Sequence, residues 1–172
     1  PGGTNTVAAV QVARAAPDGG TFLVGSPGTL AINPHMFRTL SFSVARDFAA
    51  VSHVATFPQI LVVNPRVPAR STEELIALAK QRPGALNYGS SGNGSTGHLI
   101  TEMFRSQAGI EVVHVPFRGG APAAQAMVSG DVQFVIDGLP TWLSFMGTDQ
   151  IRILGITSAQ RWPGLPDVPA IG

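Results

Sequence analysis

The 172-residue sequence contains no cysteine. That removes disulfides, thiolate metal sites and cysteine nucleophiles together. Charge is scarce as well. Asp, Glu, Lys and Arg make up 12% of the chain, roughly half of the ~25% usual in soluble domains. Eleven basic residues against ten acidic ones leave a net charge of +1. No basic field exists to neutralise phosphates, so nucleic acid is not an expected partner. Long apolar runs are missing too. The longest strongly apolar stretch is Ile60 to Val63, far short of the ~18 residues of a membrane helix. Hydrophobic residues still reach 44%, which excludes a disordered chain, because disorder needs low hydrophobicity and high charge. The length suits one ordinary domain, or two small lobes sharing a chain.

The chain opens on Pro1-Gly2-Gly3 and stops at Gly172, just after Pro163-Gly164-Leu165-Pro166-Asp167-Val168-Pro169. It shows no initiator Met and no charged region followed by an apolar one. It therefore reads as a piece of something longer. A cysteine-free chain suits the cytoplasm or the periplasm equally.

Twenty glycines and fourteen prolines are spread evenly and punctuate short elements. Helices are predicted over 5–15, 72–81, 98–107 and 121–129. Strands are predicted over 21–25, 51–56, 60–64, 85–88, 111–115, 132–136 and 152–157. Ser71-Thr72-Glu73-Glu74 is a capping box, with Ser71 bonding the Glu74 amide and Glu74 reaching back. Gly109 and Gly130 close the helices before them. Trp142 and Phe145 read as core. The alternation of strand and helix predicts an α/β fold with a mostly parallel sheet covered by helices.

The sharpest feature is Tyr88-Gly89-Ser90-Ser91-Gly92-Asn93-Gly94-Ser95-Thr96-Gly97-His98, between a strand and a helix. Glycines let backbone amides turn toward one point, and a helix start adds roughly half a positive charge. Four hydroxyls (Ser90, Ser91, Ser95, Thr96) and the Asn93 amide surround it. This is an anion cradle of neutral donors, or else a flexible solvated loop. A second junction, Val113-His114-Val115-Pro116-Phe117-Arg118-Gly119-Gly120, repeats the design. Consecutive strand-to-helix loops of a parallel sheet open on one edge, so both face one cleft. Arg118 either supplies charge there or is a solvated surface residue. Asp137 ends an apolar strand, where an acid either contacts a ligand or caps the next turn. Tyr88, the lone tyrosine, is placed at the cleft edge.

Several enzyme readings fail. Gly92-Asn93-Gly94-Ser95-Thr96-Gly97 matches G-x-G-x-x-G, but a dinucleotide fold needs an acidic residue at the end of the next strand. That strand ends in Val115-Pro116, and its acid, Glu111, stands at its start. No Gly-Lys-Ser/Thr follows the loop, and no G-x-S-x-G occurs. His35, His53, His98 and His114 show no paired metal spacing and read as structural.

Six stretches carry a resemblance. They are Ala15-Ala16-Pro17-Asp18-Gly19, Gly28-Thr29-Leu30-Ala31-Ile32-Asn33-Pro34, Asp47-Phe48-Ala49-Ala50-Val51, Leu86 to Gly94, His114 to Gly119, and Leu165-Pro166-Asp167-Val168-Pro169. In that order along nearly the whole chain, they resemble the periplasmic substrate-binding proteins of tripartite tricarboxylate transporters, the Bordetella uptake gene family. The resemblance implies a two-lobed, periplasmic-binding-protein-like fold of type II, incomplete here at both ends. Lobe one would comprise 1–58 and 151–172, and lobe two 59–150, with hinge crossings near 57–61 and 150–153. It implies a periplasmic, non-enzymatic receptor without a cofactor or metal. The ligand would be a small carboxylate (a di- or tricarboxylate, an amino acid or an aromatic acid), held in the cleft largely by amides, hydroxyls and water. The implied partners are that ligand and the transporter's membrane components. A small α/β enzyme binding phosphate or nucleotide on the Gly92–Gly97 loop is the alternative. A shortened chain is also expected to expose apolar surface and self-associate. The candidate ligand contacts are Ser26, Thr29, Tyr88, Ser90, Ser91, Asn93, Gly94, Ser95, Thr96, His98, Phe117, Arg118, Gly119 and Asp137.

Overall fold

A computed structural model describes residues 6–172. Of the helix expected over 5–15, residue 5 lies outside the described residues, and α1 spans Thr6–Ala13. A π-helical turn (Gly28–Ile32), α2 (Asn33–Met36) and α3 (Val44–Asp47) follow. Then come β1 (Gln59–Val63), α4 (Thr72–Gln81), β2 (Asn87–Ser90), α5 (Thr96–Ala108), β3 (Val113–Pro116), α6 (Gly120–Ser129) and β4 (Phe134–Gly138). A 3-10 turn (Leu139–Phe145) leads to β5 (Arg152–Ile156).

The five strands form one sheet in the order β3-β2-β4-β1-β5. β2 runs parallel to β3 and to β4, while β1 is antiparallel to β4 and β5. Residues 87–138 are therefore a β-α-β-α-β unit. Side chains alternate across β1. Leu61 and Val63 join Leu75, Ala79, Tyr88, Phe134, Ile136 and Leu154 on one face, under α4 and α5. Ile60 and Val62 join Ala124, Met127, Val135, Trp142 and Ile156 on the other, under α6 and the 3-10 turn. Phe145 packs partly buried beside Trp142. β2 sends the chain to β3 over one face, and β3 returns it past β2 to β4 over the other. Loops leaving the adjacent strands β2 and β4 thus diverge, the arrangement in which sheets of this kind place a ligand crevice.

Local chemistry sets the element ends. Ser71 Oγ accepts from the Glu74 amide at 3.2 Å, as the capping box predicts. Glu74 Oε2 reaches one residue further back than expected, to the Arg70 amide at 2.6 Å. Gly109 and Gly130 take left-handed φ values of 61° and 93° and close α5 and α6.

Two expected strands do not form. Residues 21–25 and 51–56 take no regular secondary structure. A strand needs a hydrogen-bonded neighbour, and neither segment pairs with an edge of the sheet. Their apolar residues stay in solvent, with Val24 at 88% and Val54 at 83% exposure. All the buried hydrophobic residues except Ala9 and Phe42 lie between Ile60 and Ile156. The expected division grouped residues 151–172 with residues 1–58. Within the described residues β5 pairs with β1, bringing the apolar Ile153, Leu154 and Ile156, and Trp162, Leu165, Val168 and Ile171 pack on the same sheet. The chain enters and leaves the sheet side by side. Leu139 N donates to Pro58 O at 3.0 Å, and Thr157 N donates to Gln59 O at 3.0 Å.

The contrast predicts unequal mutational costs. Leu75→Ala should destabilise by about 2–5 kcal/mol in urea unfolding, while Val54→Ser should stay within about 0.5 kcal/mol.

Candidate functional site

β2, β3 and β4 are parallel, so their carboxyl ends and the N-termini of α5 and α6 share one edge. Two glycines bring these ends together. A Cβ on Gly97 would fall on the Ile136 carbonyl oxygen, with the Asp137 Cα 3.9 Å away. A Cβ on Gly120 would stand 3.3 Å from Asp137 Oδ2 and 3.5 Å from the Thr141 side chain. Asp137 thus sits where the two junctions meet. Burial raises its pKa above the ordinary carboxylate value, against the Gly138 amide and the Thr141 hydroxyl, which favour the ionised form.

The Gly-Ser loop is internally pinned. Ser95 caps α5, its Oγ accepting from the His98 amide at 3.3 Å. Gly94, at φ 75°, donates its amide to His98 Nδ1 at 3.1 Å. Ser90 is buried, with Oγ 2.7 Å from His114 Nε2 and 3.2 Å from both Gly92 N and Gly92 O. That Ser–His distance suits a nucleophile and its base. Ser90 is only 1% exposed, however, and its hydroxyl is occupied by Gly92, so the pair holds the loop and has no path to a substrate.

Three rings stack beneath. His98 and His114 lie 4.2 Å apart at 23°, and His114 and Tyr88 lie 4.7 Å apart at 19°. Tyr88 does not reach the cleft edge, contrary to the expectation. It is fully buried, and its hydroxyl donates to Glu102 at 2.6 Å. Its ring is apolar mass on the core face of β2, which is why a position read as a cleft edge is interior. Burial, with the neighbouring carboxylate, pushes its pKa up. Burial also pushes Glu102 up, but Tyr88 and the Arg105 guanidinium outweigh it and hold the carboxyl below its usual range. Burial first, and then His98, hold His114 below the ordinary histidine value.

The remaining candidates divide by partner. Ser91, Asn93 and Thr96 have no side-chain hydrogen bond among the described residues, and Asn93 is exposed. The Thr96 and Gly97 amides belong to the first turn of α5, where helix amides lack intrahelical acceptors. Gly28, between Ser26 and Thr29, lies against this turn from the first segment of the chain. A Cβ on Gly28 would be 3.6 Å from Ser26 Oγ and 3.7 Å from Thr96 Oγ1. Thr29 is buried, its Oγ1 3.2 Å from Ser26 Oγ. Phe117 is half-buried, its amide donating to Ser90 O at 2.9 Å and its ring lying against Gly89. Gly119, at φ 117°, caps α6 without a side chain. Arg118 is exposed and makes no ion pair among the described residues. Among those residues no group of acidic or histidine side chains could hold a metal. The sequence reading missed Met36, whose Cε would be 3.6 Å from a Cβ on Gly94, and Thr141. No local signal marks either one, because both arrive through tertiary packing. It also took His114 for a structural residue without its link to the loop.

Over residues 1–172 the sequence matches the tripartite tricarboxylate transporter family receptor. The chain belongs to that family. It is 36% identical over 160 residues to the UPF0065 protein in the tcbD-tcbE intergenic region of Pseudomonas sp. (strain P51), covering 93% of this chain and 47% of that protein. It is similar to the structure of R. palustris Rpa4515 with adipate, at a TM-score of 0.93 and 41% identity, covering 96% of this chain and 56% of that one. It is similar as well to MatC (Rpa3494) from Rhodopseudomonas palustris with bound malate, at a TM-score of 0.88 and 29% identity, covering 98% of this chain and 57% of that one. The α/β fold is that of these binding proteins. The chain spans about half the length of these relatives.

Asp137 generates a pH prediction. Below its ordinary value of 3.8 both folded and unfolded states carry the proton. As pH rises the unfolded chain ionises first, so the folded state loses stability until pH passes the raised folded value. Asp137→Asn should therefore raise the melting temperature at pH 7 and give no gain at pH 3. An equal gain at both would show that the carboxyl's ionisation costs the fold nothing.

Proposed function

We propose that this chain is the ligand-binding part of a periplasmic solute receptor that captures a small carboxylate in a cleft between two lobes and delivers it to the membrane components of a tripartite tricarboxylate transporter. The receptor is not an enzyme and takes no cofactor. The observation that carries this reading is the junction at α5. Its loop and first turn carry the hydroxyls of Ser91 and Thr96 and the first-turn amides, with Gly28 and Ser26 close to Thr96 and no cation in the loop sequence. Neutral donors at a helix start suit one carboxylate group. Adipate and malate, bound in the two related structures, are both dicarboxylates, and that class is the expected ligand. The lobe carrying this junction is the one built on the five-stranded sheet, β1 to β5.

Magnitudes limit what the junction does alone. A hydrogen bond to a charged group contributes about 1.5–3 kcal/mol. Three give roughly 5–9 kcal/mol gross, whereas micromolar binding needs about 8 kcal/mol after the costs of association. The facing lobe supplies the rest. The test is a thermal-shift screen with adipate, malate and ATP. A carboxylate at 100 times its Kd should stabilise by about 2.7 kcal/mol. A response to ATP without one to either carboxylate would overturn the reading in favour of phosphate binding. In calorimetry with the carboxylate that responds, Thr96→Val should weaken binding about tenfold or more, as loss of a bond to a charged group requires. Arg118→Ala should cost less than that. The reverse order would place the carboxylate at the second junction, held by charge.

A further inference from the structure

We infer that His98 and His114 are positioning residues that set the shape of the anion loop, each through one particular ring nitrogen. The inference rests on the proposed carboxylate site and adds the groups that hold it. The geometry is specific. His98 reaches back from α5 to take the Gly94 amide on Nδ1. His114 reaches across from β3 to Ser90 Oγ through Nε2, and that hydroxyl takes the Gly92 amide. The two glycines whose positive φ values shape the loop, 130° and 75°, are thus each tied to an imidazole. The rings stack on each other and on Tyr88, whose hydroxyl is fixed by Glu102. A ring clamped on its face cannot swing, so each nitrogen is held at one point. The Gly94 amide is consumed by this contact. It does not serve the ligand directly, and the donors left over are those of Ser91, Thr96 and the first turn of α5.

The bond from Gly94 requires an unprotonated Nδ1 on His98. The two imidazoles, 4.2 Å apart, also disfavour double protonation. The lowered pKa of His114, chiefly from burial, agrees with a neutral ring at that position.

The roles of the two nitrogens make a crossed test. An asparagine amide occupies nearly the place of Nδ1, and a glutamine amide that of Nε2. Four variants, His98→Asn, His98→Gln, His114→Asn and His114→Gln, are titrated with adipate by calorimetry. Melting temperatures and amide hydrogen exchange at Gly92 and Gly94 are measured alongside. His98→Asn and His114→Gln should bind within about threefold of the parent. His98→Gln and His114→Asn should lose about tenfold, the scale of one hydrogen bond, while melting no lower than their matched partners. Gly94 protection should survive in His98→Asn and vanish in His98→Gln. Equal affinities of the Asn and Gln variants at both positions would overturn the inference, and so would losses that follow only the melting temperatures. If the parent protein binds neither adipate nor malate, the proposed function fails. The exchange pattern then decides alone: protection of Gly94 equal in the two His98 variants overturns the inference, and the crossed pattern supports it.

Discussion

The site depends on one close approach, the first turn of α5 against the end of β4. Gly97 permits it, because any side chain there would fall on the Ile136 carbonyl. With that contact made, the start of α5 lies beside Asp137. Gly120 places the start of α6 near Asp137 from the other side, where a Cβ would meet only side chains, 3.3 Å from Asp137 Oδ2. Without Gly97, α5 would have to stand off the Ile136 carbonyl, and its positive end would move away from Asp137. Fold and site are therefore one problem here. The parallel register of β2, β3 and β4 chooses the edge, and the absence of a Cβ at Gly97 sets how near the start of α5 comes.

That edge is managed with little formal charge. The ion pairs among the described residues, Glu102–Arg105 and Arg46–Asp47, do not include the loop. The charged group at the convergence is Asp137, whose burial makes the ionised form costly. Two helix starts offset part of that cost, since each contributes a partial positive charge. If the proposed function holds, an incoming carboxylate would share the region with a group that resists ionisation. Repulsion between them is smaller than two fully ionised acids would give. Neutral donors also suit a cleft that excludes water, because a cation without its partner pays a far larger desolvation penalty than an unmatched hydroxyl.

Much of the sheet was legible in the sequence because its signals are local. The capping box at Ser71, the helix-closing glycines 109 and 130, and the apolar runs of β1 and β4 each state a structure within a few residues. Strands 21–25 and 51–56 failed because β propensity names a segment that fits a sheet and says nothing of whether a neighbour is there. Tyr88 was misplaced for a related reason. Period-2 alternation tells which residues share a face, and only packing tells which face is covered. The Gly-Ser loop was found from composition, but its wiring was not. The bond from Gly94 to His98 spans four residues and in hindsight is local. Ser90 with His114 spans 24 residues and needs the β2–β3 register to exist.

The two walls of the crevice are held in different ways, and the difference bears on how a cleft works. The wall of α5 and α6 is built on a sheet buried on both faces, with nearly all of the core beneath it. The wall of Ser26 to Met36 belongs to a segment that contributes little to that core and exposes Phe22, Val24, Met36 and Phe37. Local opening costs least where few apolar side chains are buried. Displacement of Ser26 and Thr29 from Thr96 therefore costs less than any distortion of the loop itself. Under the proposed function, the donors on the sheet would stay preorganised, and the ordering cost of capture would fall mainly on the opposing wall.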